Sequence, residues 1–318
     1  MKTENIPLDI LYLQDERFRI SYFFSLAKLV LSLKKIGLTH PPLAAWRDNL
    51  LILVTGWKRV LACLELSLSP IPIVCLEEQS DLKLFQKAFY ENLAIREYSL
   101  LEKAEIVKKL LHFGEEEKSI LKHCLPRLGI PPTAYHLDAY LAVAALSPEM
   151  KTFIHEKQMP LASVELLIGF SPEDRQLLLP LLLPLSQNKQ KELLEDCREI
   201  SIREELPVNR ILAAADIQEI LDAKKLSPLQ KSNKIRHLLR RQRYPQLSSR
   251  QERFQTALRK VDWPRDVSLH PSPFFEEDRV TLQFSFRNEQ ELKSCLSKLQ
   301  AASANKEFSG VFKPSADD

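Results

Sequence analysis

The stretch TGWKRVLACLEL (Thr55 to Leu66) opens a helical pattern with two cations and a large aromatic, directly after the apolar run NLLILV. A strand that passes through Gly56 into a helix sends free backbone N–H groups and the positive end of the helix dipole toward whatever lies beyond it. Lys58 and Arg59 add charge of the same sign in the first turn. That costs stability unless an anion balances it, and phosphate is the anion this chemistry suggests. For an isolated G-x-K-R the simpler reading is that both cations splay into solvent while Trp57 packs. A second element, ENLAIRE (Glu91 to Glu97), tips the balance: it sets a carboxylate, an amide and an Arg close together, the types that hold a metal ion or a phosphate oxygen.

Positioning these groups calls for an α+β unit over residues 1–98. IPLDILYL, PLAAW, NLLILV and PIPIVCL read as β-like runs, and SLAKLVLSLKKIG reads as a helix ended by Gly37. SDLKLFQKAFYENL reads as a capped helix ending near Asn92. Residues 99–222 show helix after helix with almost no strand signal. Residues 223–265 form a basic helical linker, opened by SPLQKSNKIRHLLRRQR (Ser227 to Arg243), where Ser caps, Pro takes the first turn and YP stops it. Residues 266–301 read as β-β-α: DVSLH, then RVTLQFSF, then the helix NEQELKSCLSKLQ. Residues 302–318 are polar and expected to fray. The fold class expected is therefore α+β, mostly helical, with a small mixed sheet near the N-terminus.

Composition agrees with a folded soluble protein: 318 residues, 45% apolar and 27% charged, with 20 Pro against 6 Gly. The longest apolar run, LLLPLLLPL, holds two prolines and is far shorter than the roughly 20 residues a membrane span needs. The N-terminus lacks a charged segment followed by an apolar one, so the cytoplasm is the expected compartment. Five scattered cysteines without a C-x-x-C pair argue against a disulfide framework or a zinc site. Net charge is only +3, yet Lys224 to Lys260 holds 12 Lys or Arg against one acid, Glu252, so the remainder is net acidic.

The order of these pieces resembles the ParB family of bacterial chromosome and plasmid partition proteins. That family carries an LxxSIxxxGLLQP helix and turn, a GERR helix start, and ENLQRxxLxPxEEA after a further strand and helix. Here they stand as LVLSLKKIGLTHP, TGWKRVLACLEL followed by PIPIVCL, and ENLAIREYSLLEKA, across roughly the first hundred residues. SILKHCLPRLGIPPTAYHLDAYLAVAAL has the Gly129 turn of a helix-turn-helix. EEDRVTLQFSFRNEQELKSCLSKLQ is similar to the strand and helix of the ParB dimerisation unit. The resemblance implies binding of CTP with Mg2+, slow hydrolysis, and a DNA-bound dimer that switches into a clamp. By motif match, Thr55, Gly56, Lys58 and Arg59 would cradle the triphosphate, with His40 at its border. Glu91 and Asn92 would lie at the metal and phosphate side, Glu91 as the catalytic candidate, and Arg96 would join the nucleotide site. The sequence departs from the family at three places: Trp57 replaces the usual Glu, Lys58 the first Arg, and Arg96 comes one residue late, with Ile95 at the family position. The related sulfiredoxins place a catalytic Cys where Trp57 stands, which excludes their chemistry.

For DNA, Thr133, Tyr135 and His136 are the donors of the recognition segment, which has no Lys or Arg and carries Asp138. The basic helix offers Lys231, Lys234, Arg236, Arg240, Arg241 and Arg243 on an exposed face; the bland alternative is that these cations pair with the acidic remainder of the chain. One hairpin and one helix cannot bury much alone, so Val280, Leu282, Phe284 and Phe286, with Leu292 and Leu296, are expected to meet a second copy in a homodimer. Three functions follow: a CTP-responsive, ParB-like DNA-binding protein, nucleoid-associated and served by a partner ATPase; a ParB-fold interaction or regulatory module without specific DNA reading; or a ParB-fold nuclease or nucleotide-using kinase.

Overall fold

Four strands, β1 (Lys2–Ile6), β2 (Leu43–Arg47), β3 (Leu50–Thr55) and β4 (Ile71–Leu76), form a mixed sheet in the order β1-β4-β2-β3. Only the β2 and β4 pair is parallel. The computed structural model describes residues 2–78, 80–260, 267–272 and 279–304. β2 and β3 are joined by Asp48 and Asn49, both at positive φ (48° and 63°), the backbone of a tight primed hairpin turn that short Asx side chains tolerate. Three helices accompany the sheet: α1 (Ala27–Ile36), α2 (Trp57–Glu65) and α3 (Asp81–Leu93).

β3 is buried from Leu51 to Thr55. Leu51 and Leu53 join a cluster with Val30, Leu33, Trp57 and Val60, while α3 packs along the strand. Each fully buried Leu contributes roughly 1.5–3 kcal/mol, so β3 holds the start of α2 firmly. IPLDILYL does not run as a strand. Pairing ends at Ile6 because Pro7 has no N–H to give to the ladder, and Leu8–Ile10 forms a 3-10 turn instead. Leu11 then bridges to Leu51 and covers the outer edge of β3.

Residues 12–26 have no regular secondary structure and are held by side chains. Lys109 Nζ donates to the carbonyls of Glu16 (2.9 Å) and Arg19 (2.6 Å), and Arg17 bridges Asp15 and Asp81. Lys109 comes from α4 (Leu100–His112), whose first turn is closed by a capping box between Ser99 and Glu102. After α4 come α5 (Glu117–Ser119), a π-helical segment (Ile120–Cys124) and α6 (Leu125–Arg127). Pro126, which cannot donate a backbone hydrogen bond, lies in this irregular stretch. Gly129 (φ 68°) turns the chain toward α7 (Ala134–Ala144), which packs on α4 and is capped by Thr133. α8 (Pro148–Glu156) and α9 (Leu161–Ile168) complete this unit.

Packing divides the chain into two compact units between Gly169 and Phe170. The second unit contains α10 (Pro172–Leu182), α11 (Gln187–Glu204), α12 (Val208–Leu212), α13 (Ala215–Asp222), α14 (Pro228–Arg243) and α15 (Pro245–Arg259). α14 is not a free linker: it packs on α11 and buries Ile235 and Leu239. Tyr-Pro does stop it, but Pro245 at once begins α15, since Pro suits a first helical turn. An antiparallel hairpin follows, β5 (Val267–Pro271) with β6 (Val280–Phe284), then α16 (Glu289–Ser303). The expected β-β-α order is present. Asp266 and the tail from residue 305 lie outside the described residues, and residues 302–303 belong to α16.

Among the described residues, no helix is long and apolar enough to cross a membrane.

Candidate functional site

A cavity of about 530 Å³ opens where β3 hands over to α2, and His40, Thr55, Gly56, Lys58, Arg59, Glu91, Asn92 and Arg96 all line it. Phe18, Ile20 and Ser21 of the irregular segment, with Val54, Trp57 and Ala88, complete much of the wall. Gly56 is the N-cap of α2 at φ 89°, where a side chain is strained, and a Cβ there would meet Pro42 Cβ at 2.9 Å. No side chain caps α2, so its first turn faces the cavity without a built-in acceptor.

Glu91, on the last turn of α3, is engaged by both oxygens. Thr55 Oγ1 donates to Oε2 (2.5 Å), and Arg59 Nη2 stands 3.1 Å from Oε1. The other arm of Arg59 donates to the carbonyls of His40 (2.7 Å) and Pro41 (3.3 Å). His40 thus contributes its backbone to the wall, while its ring pairs with Thr39 Oγ1 (3.0 Å). Arg96 is held by Glu102 through two contacts (2.8 and 2.9 Å) and by Ser21 Oγ (2.8 Å). Glu102 also accepts from the Ser21 hydroxyl and, at 2.9 Å, from the Ser99 amide. Burial raises the Glu102 carboxyl, but these donors and the Arg96 charge together bring it below its ordinary value.

Lys58 differs from its neighbours. Half-buried, it makes no ion pair among the described residues, and its Nζ lies 5.1 Å from the Phe24 ring. Burial pushes its ammonium below the ordinary lysine value, the Arg96 charge pushes further, and Glu102 opposes both. An anion in the cavity would relieve this cation. Trp57 is buried, with the Arg19 guanidinium 5.1 Å from its ring centroid and no acceptor for its Nε1 among the described residues.

For Mg2+ the lining offers Glu91, whose two oxygens already accept from Thr55 and Arg59, and the Oδ1 of Asn92, whose Nδ2 donates to the Ala88 carbonyl (2.8 Å); no group of three His, Cys, Asp or Glu side chains that could hold a metal occurs among the described residues.

The DNA candidates fall into two places. In the first unit, Tyr135 is exposed at the start of α7, and Thr133 accepts from the His136 amide and pairs with its Nδ1 at 2.7 Å. In the second unit, the six cations of α14 do not share an exposed face. Arg236 is paired with Glu192, and Arg243 with Asp196 (2.7 Å) and Glu199. Lys231 donates to the Leu221 carbonyl (2.5 Å), and Arg241 meets Glu252 at 3.0 Å. Lys234 and Arg240 have no ion pair among the described residues. The reason is the acidic row Glu192, Asp196 and Glu199, spaced along one side of α11 beneath α14. Asp196 is so buried that desolvation raises its carboxyl even with Arg243 beside it, and its Oδ2 has no hydrogen-bond partner among the described residues.

Of the apolar residues expected at a dimer interface, Leu282, Phe286 and Leu296 are exposed at 40%, 50% and 50%, and Val280, Phe284 and Leu292 are partly covered. Phe284 and Phe286 lie with ring centroids 6.1 Å apart.

The sequence reading missed Ser21, Glu102 and Arg19. Glu102 carries a local signal, the Ser-x-x-Glu of a capping box. Nothing in the sequence marks Ser21.

No protein-family model and no curated protein sequence matches the chain. Among solved structures, it is similar to the C-terminally truncated chromosome-partitioning protein ParB from Caulobacter crescentus complexed with CTP-gamma-S. The identity there is 19%, covering 56% of this chain and 97% of that one, with a TM-score of 0.28. It is also similar to the same truncated protein complexed to the centromeric parS site, at 17% identity over 61% of this chain and 99% of that one, with a TM-score of 0.35.

Proposed function

We propose that the chain is a ParB-like protein that binds a nucleotide, CTP by its motif resemblance, and acts with DNA in partition or a related organising role as a homodimer. One observation carries the nucleotide reading: the separated motifs around His40, Thr55 to Arg59 and Glu91 to Arg96 line a single cavity in which Lys58 makes no ion pair among the described residues. Its volume, about 530 Å³, lies in the ordinary range for small-molecule pockets, about 300–1,000 Å³. Binding, rather than turnover, is the proposed activity, because the one carboxylate in the lining, Glu91, is ion-paired with Arg59. A nucleoid-associated location in the cytoplasm and a partner ATPase follow from the same resemblance.

Calorimetry with CTP, ATP and GTP on the full chain and on Lys58→Ala tests this. CTP binding that weakens by about tenfold or more in the variant, some 1.4 kcal/mol, is expected. No binding by any nucleotide would overturn it.

A second reading, an interaction or regulatory module without specific DNA recognition, is favoured by a specific observation. The start of α7 presents no cation, and Arg236 and Arg243 are turned into α11. A salt-titrated DNA binding assay separates the two: affinity that falls steeply with salt supports phosphate contact, and no affinity at low salt leaves the module.

A further inference from the structure

We infer that the cavity neutralises its ligand's phosphates with protein cations alone and does not recruit Mg2+. This rests on the nucleotide reading and goes beyond it.

Mg2+ asks for near-octahedral oxygen ligands, usually one or two carboxylates together with substrate phosphates. The lining offers a single carboxylate. Glu91 gives one oxygen to Arg59 (3.1 Å) and the other to the Thr55 hydroxyl (2.5 Å). Seating a metal on it would compete with these contacts and place a divalent cation beside the Arg59 guanidinium, where like charges repel strongly at short range. Asn92 adds only a neutral oxygen, Oδ1, because its Nδ2 donates to the Ala88 carbonyl at 2.8 Å, and a neutral amide offsets none of that repulsion.

The positive side is already present in protein side chains. Lys58, Arg59 and Arg96 line the cavity at fixed positions. Arg59 is anchored by Glu91 and by two backbone carbonyls, and Arg96 by Glu102 and Ser21, so neither needs to be ordered when a ligand arrives. Lys58 makes no ion pair among the described residues, its Nζ lying 5.1 Å from the Phe24 ring. Three cations, two of them held in place by Glu91 and Glu102, suit a polyphosphate without help from a metal.

The test is CTP binding to the full chain by calorimetry in Mg2+ and in EDTA, repeated with Glu91→Gln and Lys58→Ala. The expected result is a Kd that differs by no more than about threefold between the two buffers. Glu91→Gln should leave the ratio of the Kd values in the two buffers near one, because it removes the one carboxylate of the lining on which a metal could sit, while Lys58→Ala weakens binding in both buffers. Binding that needs Mg2+ and is weakened by Glu91→Gln overturns the inference and leaves the nucleotide reading standing. No binding in either buffer overturns both.

Discussion

Arg243 of α14 sets its Nη1 2.7 Å from the carboxylate of Asp196 on α11, and the Asp196 side chain is 1% exposed. The pair locks a helix that looks, by charge alone, like a nucleic-acid surface. Removing one partner of a buried ion pair leaves the other charge stranded, at about 3–5 kcal/mol. Arg243→Ala should therefore shift urea unfolding to markedly lower denaturant. Adding Asp196→Asn to it should restore much of the loss, because the stranded charge is then gone. Equal destabilisation of the single and double variants would count against the pair.

Glu102 supplies a pH dependence. Its folded carboxyl titrates below the ordinary value of 4.5, because the Arg96, Ser21 and Ser99 donors outweigh burial. The folded state thus binds this proton less readily than the unfolded chain. The stabilisation is fully present above the ordinary carboxylate value and is lost as pH falls through the folded one. Glu102→Gln should flatten the acid limb of the stability profile, by on the order of 1 kcal/mol in denaturant titrations. An unchanged slope would contradict the assignment.

Gly56 bears on both stability and the site. Ala there must hold φ near 89° and press its Cβ to 2.9 Å from Pro42. Strain of this kind costs about 1–3 kcal/mol. Gly56→Ala should lower the thermal midpoint and weaken nucleotide binding together. A variant that binds normally would show that the turn does not shape the cavity.

The exposed apolar residues of the last hairpin and helix give an oligomerisation test. Leu282→Asp with Phe286→Asp should convert a dimer to a monomer in sedimentation at micromolar concentration. Because both side chains are exposed at 40% and 50%, the variant should keep its secondary structure. A parent that sediments as a monomer would remove the dimer.

How much of this was legible beforehand depended on distance along the chain. The β3 to Gly56 to α2 passage is local, so TGWKR announced it, as Ser-Pro announced the start of α14 and Gly37 the end of α1. Contacts between elements were hidden. Thr55 and Arg59 reach Glu91 across 36 and 32 residues, Ser21 reaches Glu102 across 81, and Arg243 reaches Asp196 across 47. Periodicity shows which residues share a side of one helix, but packing alone decides which acid meets which base. That is why the motifs of the cavity could be gathered from the sequence, whereas the basic face of α14 was expected outward and is in part turned inward.

Trp57 has a consequence of its own. The chain has three tryptophans: Trp46 is 51% exposed, Trp263 lies outside the described residues, and Trp57 is 7% exposed in the cavity wall beneath the Arg19 guanidinium. Its indole N–H is buried with no acceptor among the described residues, and the Arg19 guanidinium lies 5.1 Å from its ring centroid. With Trp46 and Trp263 changed to Phe, the protein carries a single intrinsic fluorophore in the wall that a ligand would touch. The residue that separates this chain from the resembling family's helix start is also the one through which its cavity can be watched in light, without a label.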